Sequence, residues 1–124
     1  MRVLLDTHAL LWWLADAELS DDARRTIADP ANEVAVSAAS VWEISIKRAL
    51  GKLRTGDDLL EAIAASGFQP LGISLRHAEV AGALPPHHAD PFDRMLVAQA
   101  REEGLVVISR DRVFDRYGVP LLAC

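Results

Sequence analysis

Four acidic residues that lie far apart in the chain stand at equivalent places beside predicted strands and helices. Asp6 comes directly after the apolar run "VLL", and Asp111 comes shortly after "LVVI". Glu43 falls in the first turn of the helix predicted after "EVAV", and Asp93 in the first turn of the helix that leads into "LVVI". Carboxylates that meet in one crevice without cationic neighbours repel each other unless a cation sits between them. The pattern therefore indicates oxygen coordination of a hard divalent cation, Mg²⁺ or Mn²⁺.

Each acid also has a simpler interpretation as part of a helix start. Asp6 and Asp111 can each cap the helix that follows them, and Ser40 with Glu43 forms the S-x-x-E pattern of a capping box. Taken one at a time, these interpretations are at least as good as a functional one. The positions of all four acids in the fold must decide between them.

The stretch "DPFDR" poses the same question for two neighbouring acids. Asp90 stands at an N-cap and Pro91 at the first helical position, which is how many helices begin. Asp93 then lies where the helix dipole favours negative charge. Seen alone, the stretch is a helix start.

Short apolar runs alternate with helical patterns along the chain, without a repeat, a low-complexity tract or a linker. Strands are predicted at 2–5, 33–36, 68–73, 105–108 and 119–122. Helices are predicted at 7–15, 20–28, 40–50, 56–66, 74–84 and 90–104, with a short helical turn at 111–117. Short, nearly all-apolar strands separated by helices are typical of a parallel sheet covered on both faces. We therefore predict an α/β fold, a three-layer α/β/α single domain over 1–124 with a mostly parallel central sheet of about five strands.

The predicted fold brings the four acids to one edge of the sheet. Ligand sites in such folds lie just outside the carboxyl ends of the strands, near the reversal of strand order. Asp6, Glu43, Asp93 and Asp111 all follow a strand or open a helix at that edge. The shared edge favours metal binding over four unrelated caps.

Length and composition limit the class of protein. The 124 residues are 51% hydrophobic and 25% charged, the balance of a folded domain with a buried core. No apolar run is long enough to predict a membrane span, and Asp6 interrupts the N-terminal run too early for a secretory signal. A single cysteine, Cys124, rules out an internal disulfide and fits a reducing cytoplasm. The net charge of -5 argues mildly against nucleic-acid binding, although a carboxylate cluster would itself lower the sum.

Basic residues lie beside the acids. Four of them follow Glu43 closely: Lys47, Arg48, Lys52 and Arg54. A solvated helix face is the common explanation of such a run, and we favour contact with phosphate slightly over it. Arg94, Arg110 and Arg112 flank the acids, where they would contact phosphate or pair with the carboxylates.

Two further stretches, an apolar helix and a pair of histidines, also allow predictions. The helix at 9–15, "ALLWWLA", is apolar on all sides, so we expect one side to pack on the sheet and the side with Trp12 or Trp13 to be covered by a partner. Deeper burial within the monomer is the alternative. His87 and His88 follow a Pro-Pro turn, and we expect a loop there, with substrate contact or proton transfer as the lesser alternative.

Four stretches together carry a resemblance that spans essentially the whole chain. They are "LLDTHALLWWL", "VSAASVWEISIKRALGKL", "LPPHHADPFDRMLVAQA" and "ISRDRVF" with "YGVPLL". In order and spacing they resemble the PIN domain family, and more narrowly the VapC-type ribonuclease toxins of bacterial toxin–antitoxin pairs. The resemblance implies that Asp6, Glu43, Asp93 and Asp111 bind the metal, and that Asp90 caps the helix or supports a ligand from behind.

Three positions beside these acids also relate to the family pattern. Thr7 and Ser109 match hydroxyl positions that recur in PIN domains and would hold a water or orient a carboxylate; simple capping explains them equally well. His8 stands where many PIN domains carry Asn, which leaves the role of that position open.

The resemblance implies a metal-dependent endoribonuclease that hydrolyses phosphodiester bonds in RNA with Mg²⁺ or Mn²⁺. Asp6, Asp93 and Asp111 would hold the ion that activates water, and Glu43 would hold a second ion or orient or deprotonate the water. The resemblance also implies a structured RNA substrate, a cognate antitoxin that fills the crevice, a homodimer and a cytoplasmic location. The alternative is a catalytically silent PIN-fold module that binds RNA or a partner.

Two other classes with acidic pockets fit less well. A phosphoacceptor receiver domain normally carries a lysine at the end of a late strand, and both lysines of this chain lie elsewhere. A haloacid-dehalogenase-type phosphatase needs Asp-x-Asp after the first strand, where this chain has Asp6, Thr7 and His8.

Overall fold

The structure, a computed structural model, describes residues 1–54 and 58–124. Its strands are β1 Arg2–Leu5, β2 Glu33–Ser37, β3 Gln69–Leu71, β4 Val106–Ser109 and β5 Leu121–Ala123. Its helices are α1 Thr7–Leu14, α2 Asp21–Ala28, α3 Ala38–Ala49, α4 Leu59–Ala65, α5 Leu75–Ala83, α6 Pro91–Glu103 and α7 Val113–Arg116. Each predicted strand is present, although β3 is shorter than predicted. The start predicted for the fourth helix, at Gly56, lies outside the described residues.

The five strands form one parallel sheet in the order β3-β2-β1-β4-β5. Strand β1 lies at the centre, where Val3 pairs with Val34 of β2 on one side and with Val106 of β4 on the other. From β1 the chain adds β2 and β3 on one side and later β4 and β5 on the other. Strand order therefore reverses between β1 and β4. That reversal is where folds of this kind form their ligand sites.

Alternate residues of the central strand enter two separate cores, as expected of a sheet covered on both faces. Val3 and Leu5 pack in the cluster that holds Leu10 of α1. Leu4 faces the other way and packs with Leu96 of α6. All of these side chains are fully buried. The three-layer α/β/α prediction is therefore confirmed. Among the described residues, no helix is both long and apolar enough to cross a membrane.

The predicted starts of α1, α2, α5 and α6 agree with the structure to within one residue, whereas α4 begins at Leu59 behind its N-cap Asp58, and α7 begins two residues later than predicted. The start predicted for α3 also differs. That helix begins at Ala38 and is capped by Ser37, the last residue of β2, whose Oγ accepts from the Ala39 N–H at 3.0 Å. Ser40 and Glu43 therefore do not form a capping box, and Glu43 lies in the second turn instead of the first. The earlier start follows from the helix-forming Ala38 and Ala39 beside a second competent cap.

Candidate active site

The site is built at the carboxyl ends of β1 and β4. The Asp6 N–H donates to the Ile108 carbonyl at 3.1 Å, which continues the pairing of the two strands beyond β1. Ser109 then donates its hydroxyl to Asp6 Oδ2 at 2.5 Å and accepts from the Asp111 N–H at 2.9 Å. One buried hydroxyl thus joins the acid after β1 to the acid after β4, so Ser109 orients a carboxylate and does more than cap.

Asp6 and Asp111 behave differently as caps. Asp6 is the N-cap of α1, and its Oδ1 accepts from the Ala9 N–H at 2.8 Å. The capping interpretation of Asp6 is therefore confirmed. The second carboxylate oxygen of Asp6 accepts the hydrogen bond from Ser109. Asp111 precedes the N-cap of α7, Arg112, and accepts from the Val113 N–H at 2.9 Å.

Glu43 is buried, and both of its carboxylate oxygens have close partners. Thr7 donates to Oε1 at 2.6 Å, and Lys47 donates to Oε2 at 2.7 Å from the next turn of α3. The Thr7 hydroxyl oxygen also lies 3.2 Å from Ser40 Oγ, whose own hydroxyl can donate to it. The expectation that the acids meet without cationic neighbours is thus wrong for Glu43, because Lys47 supplies a positive charge within the same helix.

Asp90 and Asp93 have separate tasks at the start of α6. Asp90 Oδ1 accepts from the N–H groups of Phe92 at 2.8 Å and Asp93 at 3.3 Å, so Asp90 is the N-cap. The Asp93 side chain, which is 20% exposed, meets the His88 ring nitrogen Nε2 with Oδ2 at 2.8 Å. The same nitrogen lies 3.9 Å from Asp111 Oδ2.

For His88 the sequence predicts a loop, with substrate contact or proton transfer as the lesser alternative, and gives no contact with a metal ligand. His88 is half-buried between two of the predicted metal ligands, which come from different elements. The available signal was its place just before the N-terminus of α6, at the edge of the sheet where the acids were expected.

Burial and mutual repulsion set the charge state of two acids. Burial raises the pKa of Asp6; hydrogen bonds from Ser109 and Ala9 oppose the rise, and the negative charge of Asp111 adds to it. Burial likewise raises the pKa of Asp93 to about 6, against the hydrogen bond from His88 and with the charges of Asp90 and Asp6. Asp6 is therefore close enough to interact electrostatically with both Asp93 and Asp111, and Glu43 is hydrogen-bonded to Thr7, the residue after Asp6.

The donor set fits a hard divalent cation, because the four acids offer carboxylate oxygens. Positive charge placed among Asp6, Asp93 and Asp111 would also relieve the carboxylate repulsion that adds to the effect of burial in raising the pKa of Asp6 and of Asp93. Within the described ranges, the group of three whose donor atoms all lie within 4.8 Å of one another is His88, Asp90 and Asp93. Asp6 and Asp111 lie outside that trio, and the Asp90 oxygen that caps α6 already accepts two backbone hydrogen bonds.

The three arginines near the acids do not pair with them in the structure. Arg94 turns toward backbone carbonyls, with donations to Ala81 and Leu84 at 3.0 Å each. Arg110 lies over the Trp12 ring at 4.1 Å from its centroid. Arg112 forms an ion pair with Asp115 at 3.1 Å. The Arg94 guanidinium is thus engaged within the fold, and contact with phosphate stays a prediction for the three arginines.

The basic segment after Glu43 borders a cavity of about 890 Å³ beside the site. Lys47, Lys52 and Arg54 line it together with His8 and Trp12. The phosphate contact expected of this segment stays a prediction, since Lys47 also serves as the partner of Glu43. Arg48 lies in the last turn of the same helix as Lys47.

The second face of α1 is covered in part within the monomer. Trp12 and Trp13 are both half-buried against the core. Trp13 packs on Phe68, and its Nε1–H donates to Ser66 Oγ at 3.3 Å. Partial burial in the monomer thus accounts for much of this face.

Comparison with known proteins gives the family to which this chain belongs. The PIN domain model matches residues 3–120, so the chain is a member of the PIN domain family. Within that family it is similar to Ribonuclease VapC22 of Mycobacterium tuberculosis. The two are 31% identical over 113 residues, which make up 89% of this chain and 87% of that protein.

Solved structures share the fold over nearly their whole length. VapBC2 from Rickettsia felis, bound to a DNA fragment, has a TM-score of 0.74 at 14% identity and covers 100% of this chain and 99% of that one. DNA-bound VapBC from Salmonella typhimurium has a TM-score of 0.72 at 18% identity, covering 99% and 98%. A toxin–antitoxin complex from Klebsiella pneumoniae has a TM-score of 0.66 at 22% identity, covering 97% and 95%. These likenesses agree with the predicted PIN-like architecture.

Proposed function

We propose that this protein is a metal-dependent endoribonuclease and the toxin component of a toxin–antitoxin pair. The observation that carries the proposal is the approach of Asp6, Asp93 and Asp111 at the reversal of strand order, where the pKa values of Asp6 and Asp93 are raised. Perturbed carboxylates in such a crevice mark functional sites. The relative named a ribonuclease and the solved relatives named as toxin–antitoxin complexes support the assignment.

In this proposal Asp6, Asp93 and Asp111 hold Mg²⁺ or Mn²⁺, and Glu43 holds a second ion or orients or deprotonates the attacking water. A divalent cation bound there supplies activation of water and neutralisation of the charge that develops on the phosphate. Ser109 fixes the direction of the Asp6 carboxylate through its hydroxyl hydrogen bond. Thr7 does the same for Glu43.

The proposal extends to the partners that the resemblance implies: an RNA substrate, a cognate antitoxin and a second copy of the chain, all in the cytoplasm. An exposed aromatic surface supports contact with another protein, because Trp42 is 61% exposed and packs edge-on against Phe92. Size-exclusion chromatography of the protein alone and with the product of a neighbouring antitoxin reading frame tests both assemblies. If the protein elutes as a monomer and forms no complex with the antitoxin, this part of the proposal is wrong.

The experiment for the activity compares two variants of neighbouring acids. Purified protein is incubated with a bulk RNA pool in Mg²⁺ or Mn²⁺ and in EDTA. Asp93→Asn should abolish metal-dependent cleavage, because it removes a proposed ligand. Asp90→Asn should keep most of it, because Asn remains a good N-cap.

Two results would redirect the assignment. Loss of cleavage in both variants, if both stay folded, would centre the site on the trio of His88, Asp90 and Asp93. Wild-type protein that binds RNA without cleaving it would favour the silent binding module. The pairing of Lys47 with Glu43 is the observation that favours that alternative, since an internal cation already neutralises one acid.

A further inference from the structure

His88 occupies the space between two acids that approach from opposite sides of the site. Its Nε2 lies 2.8 Å from Asp93 Oδ2 on α6 and 3.9 Å from Asp111 Oδ2 after β4. The imidazole is half-buried, with 25% of its side chain exposed. His88 is therefore the side chain that touches one proposed ligand and directly faces another.

The direction of the hydrogen bond follows from the chemistry of the two groups. An ionised carboxylate carries no proton and only accepts, so the imidazole must donate its Nε2–H to Asp93. A hydrogen bond to Oδ2 fixes the torsion of the carboxylate and thereby the direction of its other oxygen. A proposed ligand on the first turn of a helix is thus restrained before any cation arrives.

The loop that carries His88 is itself held firmly. Its backbone N–H donates to the Tyr117 hydroxyl at 3.0 Å, and that hydroxyl donates to the Pro85 carbonyl at 2.8 Å. Arg94 adds hydrogen bonds to the carbonyls of Pro85 at 3.1 Å and His88 at 3.4 Å. A buried tyrosine and an arginine from the same helix as Asp93 therefore fix the imidazole relative to that acid.

We propose that His88 is a positioning residue of the metal centre, which orients Asp93 by an Nε2–H donation and aligns it with Asp111. The inference rests on the proposed function, because it takes Asp93 and Asp111 as ligands. Hydrogen-bond partners of metal ligands commonly contribute 10- to 100-fold to metal affinity or activity.

The test measures Mn²⁺ binding directly, by titration calorimetry at one fixed pH, in wild type and three variants. His88→Ala should weaken binding by about 10- to 100-fold. His88→Gln should recover most of the affinity, because the glutamine amide also donates an N–H at a similar reach. His87→Ala is the matched control: His87 is the exposed neighbour that contacts the Tyr117 ring edge-on, and its removal should leave Mn²⁺ affinity unchanged. Thermal unfolding in EDTA checks that each variant is folded.

Each other result overturns the inference in a recognisable way. Equal Mn²⁺ affinity in wild type and His88→Ala would leave the metal centre in place and remove His88 from it. Loss of affinity in His88→Ala without recovery in His88→Gln, together with nitrogen coupling in the Mn²⁺ electron spin echo spectrum, would make His88 a direct ligand instead. Wild-type protein that binds no Mn²⁺ would overturn the metal centre and this inference together.

Discussion

The Thr7 hydroxyl donates to Glu43 Oε1 across 2.6 Å and so joins the residue after Asp6 to the second turn of α3. Both residues are buried, so the bond is shielded from water. Thr7→Val keeps the shape of the side chain but leaves a buried carboxylate oxygen with one donor fewer. We expect a loss of about 1–3 kcal/mol in the free energy of unfolding, measured by urea denaturation in EDTA. Thr7→Ser retains the hydroxyl and should lose less; equal losses in the two variants would contradict this role.

Asp93 should destabilise the metal-free protein at neutral and alkaline pH. Its pKa is raised from 3.8 to about 6, so the folded state binds the proton more tightly than the unfolded chain. Wild-type stability therefore increases as pH falls through about 6, and the charged carboxylate costs up to about 3 kcal/mol above that pH. The helix dipole stabilises a negative charge in the first turn by only about 0.3–1 kcal/mol, which is less than the cost of burying the charged carboxylate.

Asp93→Asn should accordingly raise the free energy of unfolding in EDTA by about 2 kcal/mol at pH 8. The gain should shrink as pH falls through about 6 and vanish near the ordinary pKa of Asp. Denaturation curves at several pH values give the result. Asp115→Asn, which alters an acid in a surface ion pair, serves as control and should change stability by less than about 1 kcal/mol at every pH. A gain that does not depend on pH would contradict the explanation.

Lys47 should stabilise the metal-free site as the counter-ion of Glu43. Its Nζ lies 2.7 Å from a carboxylate whose side chain is only 8% exposed. Lys47→Met keeps the aliphatic stem and leaves that charge with Thr7 as its remaining close donor. We expect a loss of about 1–3 kcal/mol in EDTA, which added Mn²⁺ should partly restore by supplying positive charge.

The exposed Lys52 offers a matched control for that measurement. Lys52→Met removes the same charge from the same cavity wall and should change stability by no more than about 0.5 kcal/mol. Equal losses in both variants would show that the general charge of the segment matters and that the Glu43 pair does not.

Arg94 should hold the loop that ends at His88 by its planar guanidinium. It donates to four backbone carbonyls, those of Ala81, Leu84, Pro85 and His88. Arg94→Lys keeps the charge but not the fork of donors, so we expect a loss of at least about 1 kcal/mol in unfolding free energy. Arg101→Lys, on an exposed part of the same helix, should have little effect. Unchanged stability in Arg94→Lys would mean that charge alone suffices.

The strands and most helix boundaries could be predicted because each is fixed by local sequence. Apolar runs mark all five strands, and Asp90 with Gly104 marks both ends of α6, where Gly104 adopts the left-handed conformation that favours glycine. The start of α3 was mispredicted because Ser37 and Ser40 are both competent caps. The choice depends on β2, which continues through Ser37, and not on either serine alone.

The acids of the site could be predicted as a group because ligand sites in such folds lie at the carboxyl ends of the strands, and strand positions can be predicted from the sequence. Their immediate partners could not, because pairing between side chains on different elements leaves no periodic signal in the sequence. For Lys47 the sequence slightly favours phosphate contact, and the structure pairs it with Glu43. For Arg94 it predicts phosphate contact or pairing with the acids, and the structure bonds it to backbone carbonyls. For His88 it favours a loop, and the structure places the ring against Asp93.

The strand order has a consequence for how the protein is made. Strand β1 pairs with β4, and Asp6 is bridged by Ser109, a residue 103 positions further along the chain. During synthesis, Asp6 therefore leaves the ribosome long before Asp93, Ser109 and Asp111 exist. Contacts so distant in sequence form late in folding. A chain truncated before β4 thus carries Asp6 and Asp93 but lacks Ser109 and Asp111, and the full set of acids can meet only after β4 and Asp111 have been synthesised.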